Sequence, residues 1–166
     1  MAGHTYTAEI SWKCQGDYAA NSYSRGHVWR FDGGIEVPAS ASPTVVPLPN
    51  SVEAAVDPEE AFIAAISSCH MLWFLDLARQ DGLIVESYQD KAEGVMARVS
   101  RGKLAVTKVT LRPEITFRAE AAPEEARISE LHEKAHELCF IANSVKSEIE
   151  VQPEPARLVS PKREEP

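Results

Sequence analysis

Cysteine is scarce in this chain of 166 residues, with three copies in all. Such a small, odd number does not make the disulfide framework of a secreted protein, so we expect a reducing compartment and a cytoplasmic location. Clusters of basic residues are also missing. Because the net charge of −8 repels a phosphate backbone, we expect no nucleic-acid partner. The N-terminus shows no signal-peptide pattern. Polar residues interrupt the longest apolar stretch, 61–78, so we expect no membrane span.

What is present is the composition of an ordinary globular protein, 44% hydrophobic and 25% charged. The length suits one domain that is large enough to bury a core. We assign residues 1–151 to that single domain. The remaining residues, 152–166, are rich in proline and charge, and we predict that they form a disordered tail.

Several short segments carry the apolar, aromatic and β-branched residues of strands. These segments are residues 4–12, 24–31, 87–99, 103–117 and 147–151. Asp32-Gly33-Gly34 is typical of a hairpin turn and leads into a further strand at 35–37. Prolines and small residues make 38–56 a surface loop or extended arm.

Two segments have helix-start signals. Asp57-Pro58-Glu59-Glu60 combines a capping residue, a proline in the first turn and acidic side chains, and it predicts a helix to about Gln80. Pro123 opens a second helix that extends to about Ile141. Because the first helix is apolar on nearly every face, it must be buried all round, and we infer that a second subunit covers part of it. The pattern predicts an α+β fold.

Cys69 and Cys139 are the first candidates for chemistry, although buried free cysteines are common and need no function. The segment Asp57–His70, which ends in Ser-Ser-Cys69-His70, resembles a helix of the organic hydroperoxide resistance and osmotically inducible protein C family, the Ohr/OsmC proteins. Leu138-Cys139-Phe-Ile-Ala-Asn143-Ser144 resembles the second cysteine motif of that family. Tyr23-Ser24-Arg25-Gly26-His27 is similar to its early arginine turn.

The resemblance implies a thiol-dependent peroxidase that reduces organic hydroperoxides and needs no cofactor. Cys69 would be the peroxidatic thiolate and Cys139 the thiol that resolves it as a disulfide, which an external dithiol of the lipoyl type would reduce. Arg25 would stabilise the thiolate, and Glu59 would pair with Arg25. The implied fold has antiparallel sheets around a long buried helix and a second helix, in an intertwined homodimer. Whether the chain lies on the OsmC or the Ohr branch stays open, because His70 is more typical of the former.

The chemistry has independent physical support. A thiolate cleaves a peroxide bond and a thiol does not, whereas a cysteine in an apolar helix would stay protonated. A cation must therefore approach Cys69, and a guanidinium keeps its charge when it is partly desolvated. Glu59 and Cys69 are ten residues apart, a rise of about 15 Å on a straight helix, which is too far for Arg25 to bridge. Either the helix breaks, or the two groups in one site come from different subunits; we favour the second.

Two alternatives remain. His132 and His136 share a helical face with Cys139, and Cys69-His70 could lie opposite, so the chain could be a zinc protein without peroxidase activity. The same histidines could instead belong to a solvated face among glutamates. The second alternative is a non-catalytic, ligand-binding protein of the same fold. Cys14 has no partner motif, and we expect no role for it.

Overall fold

The computed structural model describes residues 3–160, and the chain divides into two compact units, one ending at Phe62 and one beginning at Ile63. The first unit contains strands β1 (Ala8–Ser11), β2 (Gly16–Asp17), β3 (Ser22–Tyr23), β4 (His27–Phe31) and β5 (Glu36–Ala39). An antiparallel sheet has the order β1-β4-β5, and β2 pairs with β3. The predicted hairpin is confirmed: Asp32-Gly33-Gly34 joins β4 to β5, and Gly34 has a φ of 80° that favours glycine.

Helix α1 (Pro58–Gln80) runs without a break and matches its predicted bounds. At its start, the Asp57 carboxylate accepts the backbone N–H of Glu60 at 2.7 Å, and the Glu60 carboxylate accepts that of Asp57 at 3.1 Å. This reciprocal pair satisfies backbone donors that the helix leaves free. At its end Gly82 has a φ of 75°, which closes the helix in a left-handed turn.

By length and composition α1 could cross a membrane, but the core helix of a folded domain passes the same test. Its inner face is a core face, because Ile66, Phe74 and Leu77 are buried. The sequence predicts burial all round, whereas in the single chain Ala64, Ser68 and Leu72 leave an outer stripe exposed. The second subunit that the sequence predicts over this stripe stays a prediction.

The second unit contains most of α1 together with strands and a second helix, namely β6 (Val85–Asp90), β7 (Glu93–Ser100), β8 (Lys103–Leu111), β9 (Pro113–Arg118), α2 (Glu125–Leu138), β10 (Glu148–Val151) and β11 (Arg157–Val159). They form two sheets, ordered β10-β8-β7 and β11-β9-β6. The pairs β7/β8 and β6/β9 are antiparallel, as expected, but β10 pairs with β8 and β11 with β9 in parallel. The α+β class is confirmed, and the sheets of this unit are mixed.

Each of the two long predicted strands, 87–99 and 103–117, is divided in the structure between two sheets. The breaks lie after Asp90 and at Arg112, and one side chain links them: the Asp90 carboxylate accepts the backbone N–H of Arg112 at 2.7 Å. The same carboxylate accepts the Ser67 hydroxyl of α1 at 2.5 Å. A bond between distant residues therefore sets the breaks, and strand periodicity does not reveal it.

The core of this unit lies between α1, α2, β6 and β9. It contains Phe74, Leu77, Ala78, Ile115, Phe117, Leu131 and Ala135. The segment for which the sequence predicts disorder contains β11, which adds to β9 in parallel. Its side chains are exposed, so no apolar alternation marks it as a strand. The rest of that prediction, 161–166, lies outside the described residues.

Candidate active site

Two free thiols meet between α1 and α2. Cys69 lies in the middle of α1 and is partly exposed, whereas Cys139 follows the last residue of α2 and is fully buried. Burial, followed by a hydrogen bond with the Cys69 side chain, raises the pKa of the Cys139 thiol to about 11. Cys139 is therefore protonated at neutral pH. The structure brings these two predicted residues together.

The turn after α2 holds Cys139 in place. The side-chain amide of Asn143 donates to the carbonyl of Glu137 at 2.8 Å and to that of Cys139 at 2.9 Å. The backbone N–H of Ala142 points to the Cys139 sulfur at 3.4 Å. These bonds satisfy carbonyls that the helix end leaves free and fix the direction of the thiol. The sequence motif pointed to Asn143, but its contacts come from the structure.

An apolar cavity of about 450 Å³ opens beside Cys69. Its lining residues are Ala65, Ser68, Cys69, Leu72, Trp73, Asp76, Phe140 and Ile141. Trp73 and Phe140 meet edge to face at 5.4 Å, and Phe140 is 68% exposed. Cys69 contributes to the wall and Cys139 does not, so only Cys69 is open to a molecule in the cavity. Phe62 and Met71, although they are apolar residues of α1 close to Cys69 in sequence, are not part of the wall.

Asp76 is the charged residue of the lining. Hydrogen bonds from Arg79 at 2.8 Å and Gln80 at 2.7 Å lower the pKa of its carboxyl, so Asp76 is anionic at neutral pH. Both partners come from the last turn of α1 and bind the carboxylate from outside the lining. The cavity therefore has an apolar interior beside Cys69 and a solvated carboxylate at its edge.

A second pair joins the same two helices. His70 Nε2 and His132 Nδ1 are 3.0 Å apart, and the residues are 1% and 3% exposed. Burial lowers the pKa of His70 to about 4 and that of His132 to about 3, so both are neutral at physiological pH. The ring of His132 also stacks on Phe74 at 4.3 Å. The alternative interpretation, in which the histidines belong to a solvated helix face among glutamates, is therefore wrong for His132.

The histidines and the cysteines occupy separate places. Cys69 lines the cavity described above, whereas His132 and His136 line a different one. Within residues 3–160, no group of three or more His, Cys, Asp or Glu side chains is arranged to hold a metal ion. The structure therefore does not support a zinc site that combines His132 and His136 with both cysteines.

Arg25 and Glu59 lie in the first unit. The Arg25 guanidinium donates to the Tyr23 carbonyl at 2.5 Å and to the Asn21 side chain at 2.6 Å, and it covers the Tyr23 ring at 3.6 Å. Among the described residues Arg25 and Glu59 form no ion pair. The unbroken helix α1 keeps Glu59 about 15 Å from Cys69 along its axis, which excludes the helix break that we considered.

Sequence reasoning missed the His70–His132 contact as a structural pair. One signal was available, since His70 follows Cys69 and His132 precedes Cys139 by two helical turns. Two crossing helices that bring the cysteines together can also bring together histidines on the same faces. The sequence spacing suggested that His70 and His132 could lie close together, but we interpreted it only as a metal site.

The fold and the site together describe an α+β protein with two free thiols, one partly exposed and one buried, that meet between two helices. Residues 50–154 match the family model described as OsmC-like protein, and the chain belongs to the OsmC-like family. The resemblance that the motifs indicated is thereby confirmed, and so is the OsmC-like fold. No curated protein matches the sequence.

Solved structures support the assignment. An OsmC-like protein of unknown function from Vibrio cholerae is 49% identical in sequence, with a TM-score of 0.89. The match covers 92% of this chain and 100% of the Vibrio cholerae chain. An organic hydroperoxide resistance protein from Elizabethkingia anophelis is 17% identical, covers 96% and 100%, and has a TM-score of 0.64. One from Legionella pneumophila is 18% identical, covers 96% and 100%, and has a TM-score of 0.61. The latter two share the fold.

Proposed function

We propose that this chain is a thiol-dependent peroxidase that reduces organic hydroperoxides through Cys69 and Cys139. The observation that supports it best is the contact between a partly exposed and a buried thiol at an apolar cavity. Only the partly exposed thiol lines the cavity. We therefore assign the nucleophile to Cys69 and the resolving thiol to Cys139.

In the first step, the Cys69 thiolate attacks the outer oxygen of the hydroperoxide. The O–O bond breaks, an S–O bond forms, and the leaving alkoxide takes up a proton, so that sulfur is oxidised to sulfenic acid and the peroxide is reduced to an alcohol. In the second step, the Cys139 sulfur displaces water from the sulfenic acid and forms a disulfide. An external dithiol, which we propose is of the lipoyl type, then reduces this bond by exchange.

Arg25 and Glu59 complete the proposal. A guanidinium beside Cys69 would favour the thiolate and bind the peroxide oxygens, and a carboxylate would neutralise its charge. Because α1 is unbroken, Glu59 cannot lie beside Cys69 of its own chain. We therefore propose a homodimer in which Arg25 and Glu59 reach the thiol of the other subunit, and we place this dimer in the cytoplasm.

The substrate class follows from the cavity wall. Leu72, Trp73 and Phe140 offer apolar surface next to Cys69, and an alkyl or aryl group would bury area there that hydrogen peroxide does not have. Trp73 and Phe140 also meet at an angle that leaves ring surfaces for an aromatic substituent. We therefore propose organic hydroperoxides, with cumene hydroperoxide as a suitable probe.

The test adds one equivalent of cumene hydroperoxide to the reduced chain and follows its mass and its peptides. We expect a Cys69–Cys139 disulfide. Cys69→Ser should stop peroxide consumption, and Cys139→Ser should allow one turnover and then accumulate sulfenic or sulfinic acid at Cys69. Cys14→Ser is the matched control, because Cys14 lies in the other unit, and it should behave as the wild type. Unchanged consumption by Cys69→Ser would refute the assignment and favour a non-catalytic, ligand-binding role.

A further inference from the structure

A second cavity, of about 340 Å³, lies along α2, and its wall includes Ser129, His132, Glu133 and His136. Residues 132–136 have the sequence His-Glu-Lys-Ala-His, which places two imidazoles on one helical face, one turn apart. This spacing allows two histidines of one helix to bind a single ion. The peroxidase proposal uses none of these side chains.

Both histidines offer unused nitrogen atoms. His132 Nε2 and His136 Nδ1 are buried and have no hydrogen-bond partner within the described residues. A buried nitrogen without a partner costs free energy, and few such atoms persist without an explanation. His132 is 3% exposed, so its free nitrogen is held in place by the surrounding core. A bound ion at the cavity would satisfy these atoms.

The remaining nitrogen of His132 has the partner that a metal ligand requires. Histidines that bind metals usually donate their other ring N–H to an acceptor that fixes the ring and its tautomer. Here His132 Nδ1 faces His70 Nε2 at 3.0 Å, and when Nδ1 carries the proton, the lone pair of His132 is at Nε2.

The charge around the cavity favours a cation. Glu133 belongs to the wall, and Glu137 lies on the same helix. Within residues 3–160, Glu133 takes part in none of the ion pairs, so its carboxylate is available to an ion or to a water bound to one.

We propose that His132 and His136 bind one late first-row transition-metal ion, such as Zn²⁺, in this cavity, with His70 as the positioning residue behind His132. Imidazole nitrogen is a preferred ligand of these ions. Because no three candidate side chains converge among the described residues, water fills the other positions, and Glu133 acts through such a water. Catalytic zinc sites use three protein ligands, so we propose binding and no hydrolytic activity. The proposal is independent of the peroxidase chemistry.

The test titrates Zn²⁺ into the reduced, full-length chain. Isothermal titration calorimetry measures the heat of binding, and long-range ¹H–¹⁵N NMR correlation spectra follow the ring nitrogens of the histidines. We expect one binding step that shifts the ring signals of His132 and His136. His136→Gln should weaken it by at least about tenfold, since it removes one of two ligands. His4→Gln, which changes an exposed histidine, is the matched control and should bind as the wild type.

His70→Phe tests the positioning role, because it keeps a ring in the core but removes the hydrogen-bond partner of His132. We expect binding that is about 10–100-fold weaker, with the circular dichroism of the folded chain retained. The ring signals distinguish this site from the thiols, which could also take up zinc. Zinc binding that leaves the signals of His132 and His136 unmoved, or that His136→Gln does not change, would overturn the proposal.

Discussion

Acidification should destabilise this protein through the His70–His132 pair, which joins the two helices that hold the cysteines. The pKa values of about 4 and about 3 lie far below the ordinary 6.5, because burial disfavours the charged rings. A histidine whose native pKa is lowered adds stability above pH 6.5 and loses it as the pH falls towards the native value. Between pH 7 and pH 5 the unfolded chain binds protons that the native chain does not. The loss is about 2 kcal/mol for each ring and up to about 4 kcal/mol for the pair.

The perturbation is His70→Phe, which removes one of the two rings that resist protonation. Other groups titrate in both proteins, so the informative quantity is the difference in free energy of unfolding between pH 7 and pH 5, measured with urea. The variant should lose about 2 kcal/mol less than the wild type on acidification. Ser68→Ala, an exposed change on the same helix, should follow the wild type. If His70→Phe shows the full wild-type loss, the buried neutral pair does not cause the acid sensitivity.

Two further predictions concern the thiols and the assembly. Because burial raises the pKa of Cys139 to about 11, disulfide closure after a peroxide pulse should accelerate about tenfold per pH unit from pH 7 to pH 10, as followed by rapid quenching and mass spectrometry. A pH-independent rate would mean that Cys139 passes its proton directly to the departing hydroxide. Leu72 is 63% exposed on the apolar stripe of α1, so Leu72→Lys should convert the expected dimer to a monomer in light scattering. An unchanged mass would place the interface elsewhere, and Arg79→Ala serves as the exposed control.

Local sequence signals were sufficient to predict the bounds of elements that begin or end at a capping residue or a glycine turn. The Asp57 cap predicted the start of α1, and in the structure Gly82 closes its end in a left-handed turn; both features depend on neighbours a few residues away. The Asp32-Gly33-Gly34 turn predicted the β4–β5 hairpin for the same reason. The ends of the other elements were less accurate: α2 begins at Glu125, after the predicted start at Pro123.

Contacts between distant residues decided the rest. The hydrogen bond from Arg112 to Asp90 divides what look like continuous strands, and the pairing of β11 with β9 orders a segment of tail-like composition. Backbone pairing of this kind needs no apolar alternation, so periodicity does not indicate it. The family motifs identified Asn143, but its two bonds to the end of α2 require the folded turn.

The sequence by itself determined the candidate residues: two cysteines on two helix-forming segments, with a histidine beside the first and another two turns before the second. Only the tertiary structure decided how they meet: the free thiols of Cys69 and Cys139 lie together, the rings of His70 and His132 are hydrogen-bonded, and His136 lines a separate cavity. The physical reason is that burial between α1 and α2 sets the protonation of these groups and their access to solvent. Both depend on packing between residues that are far apart in the chain.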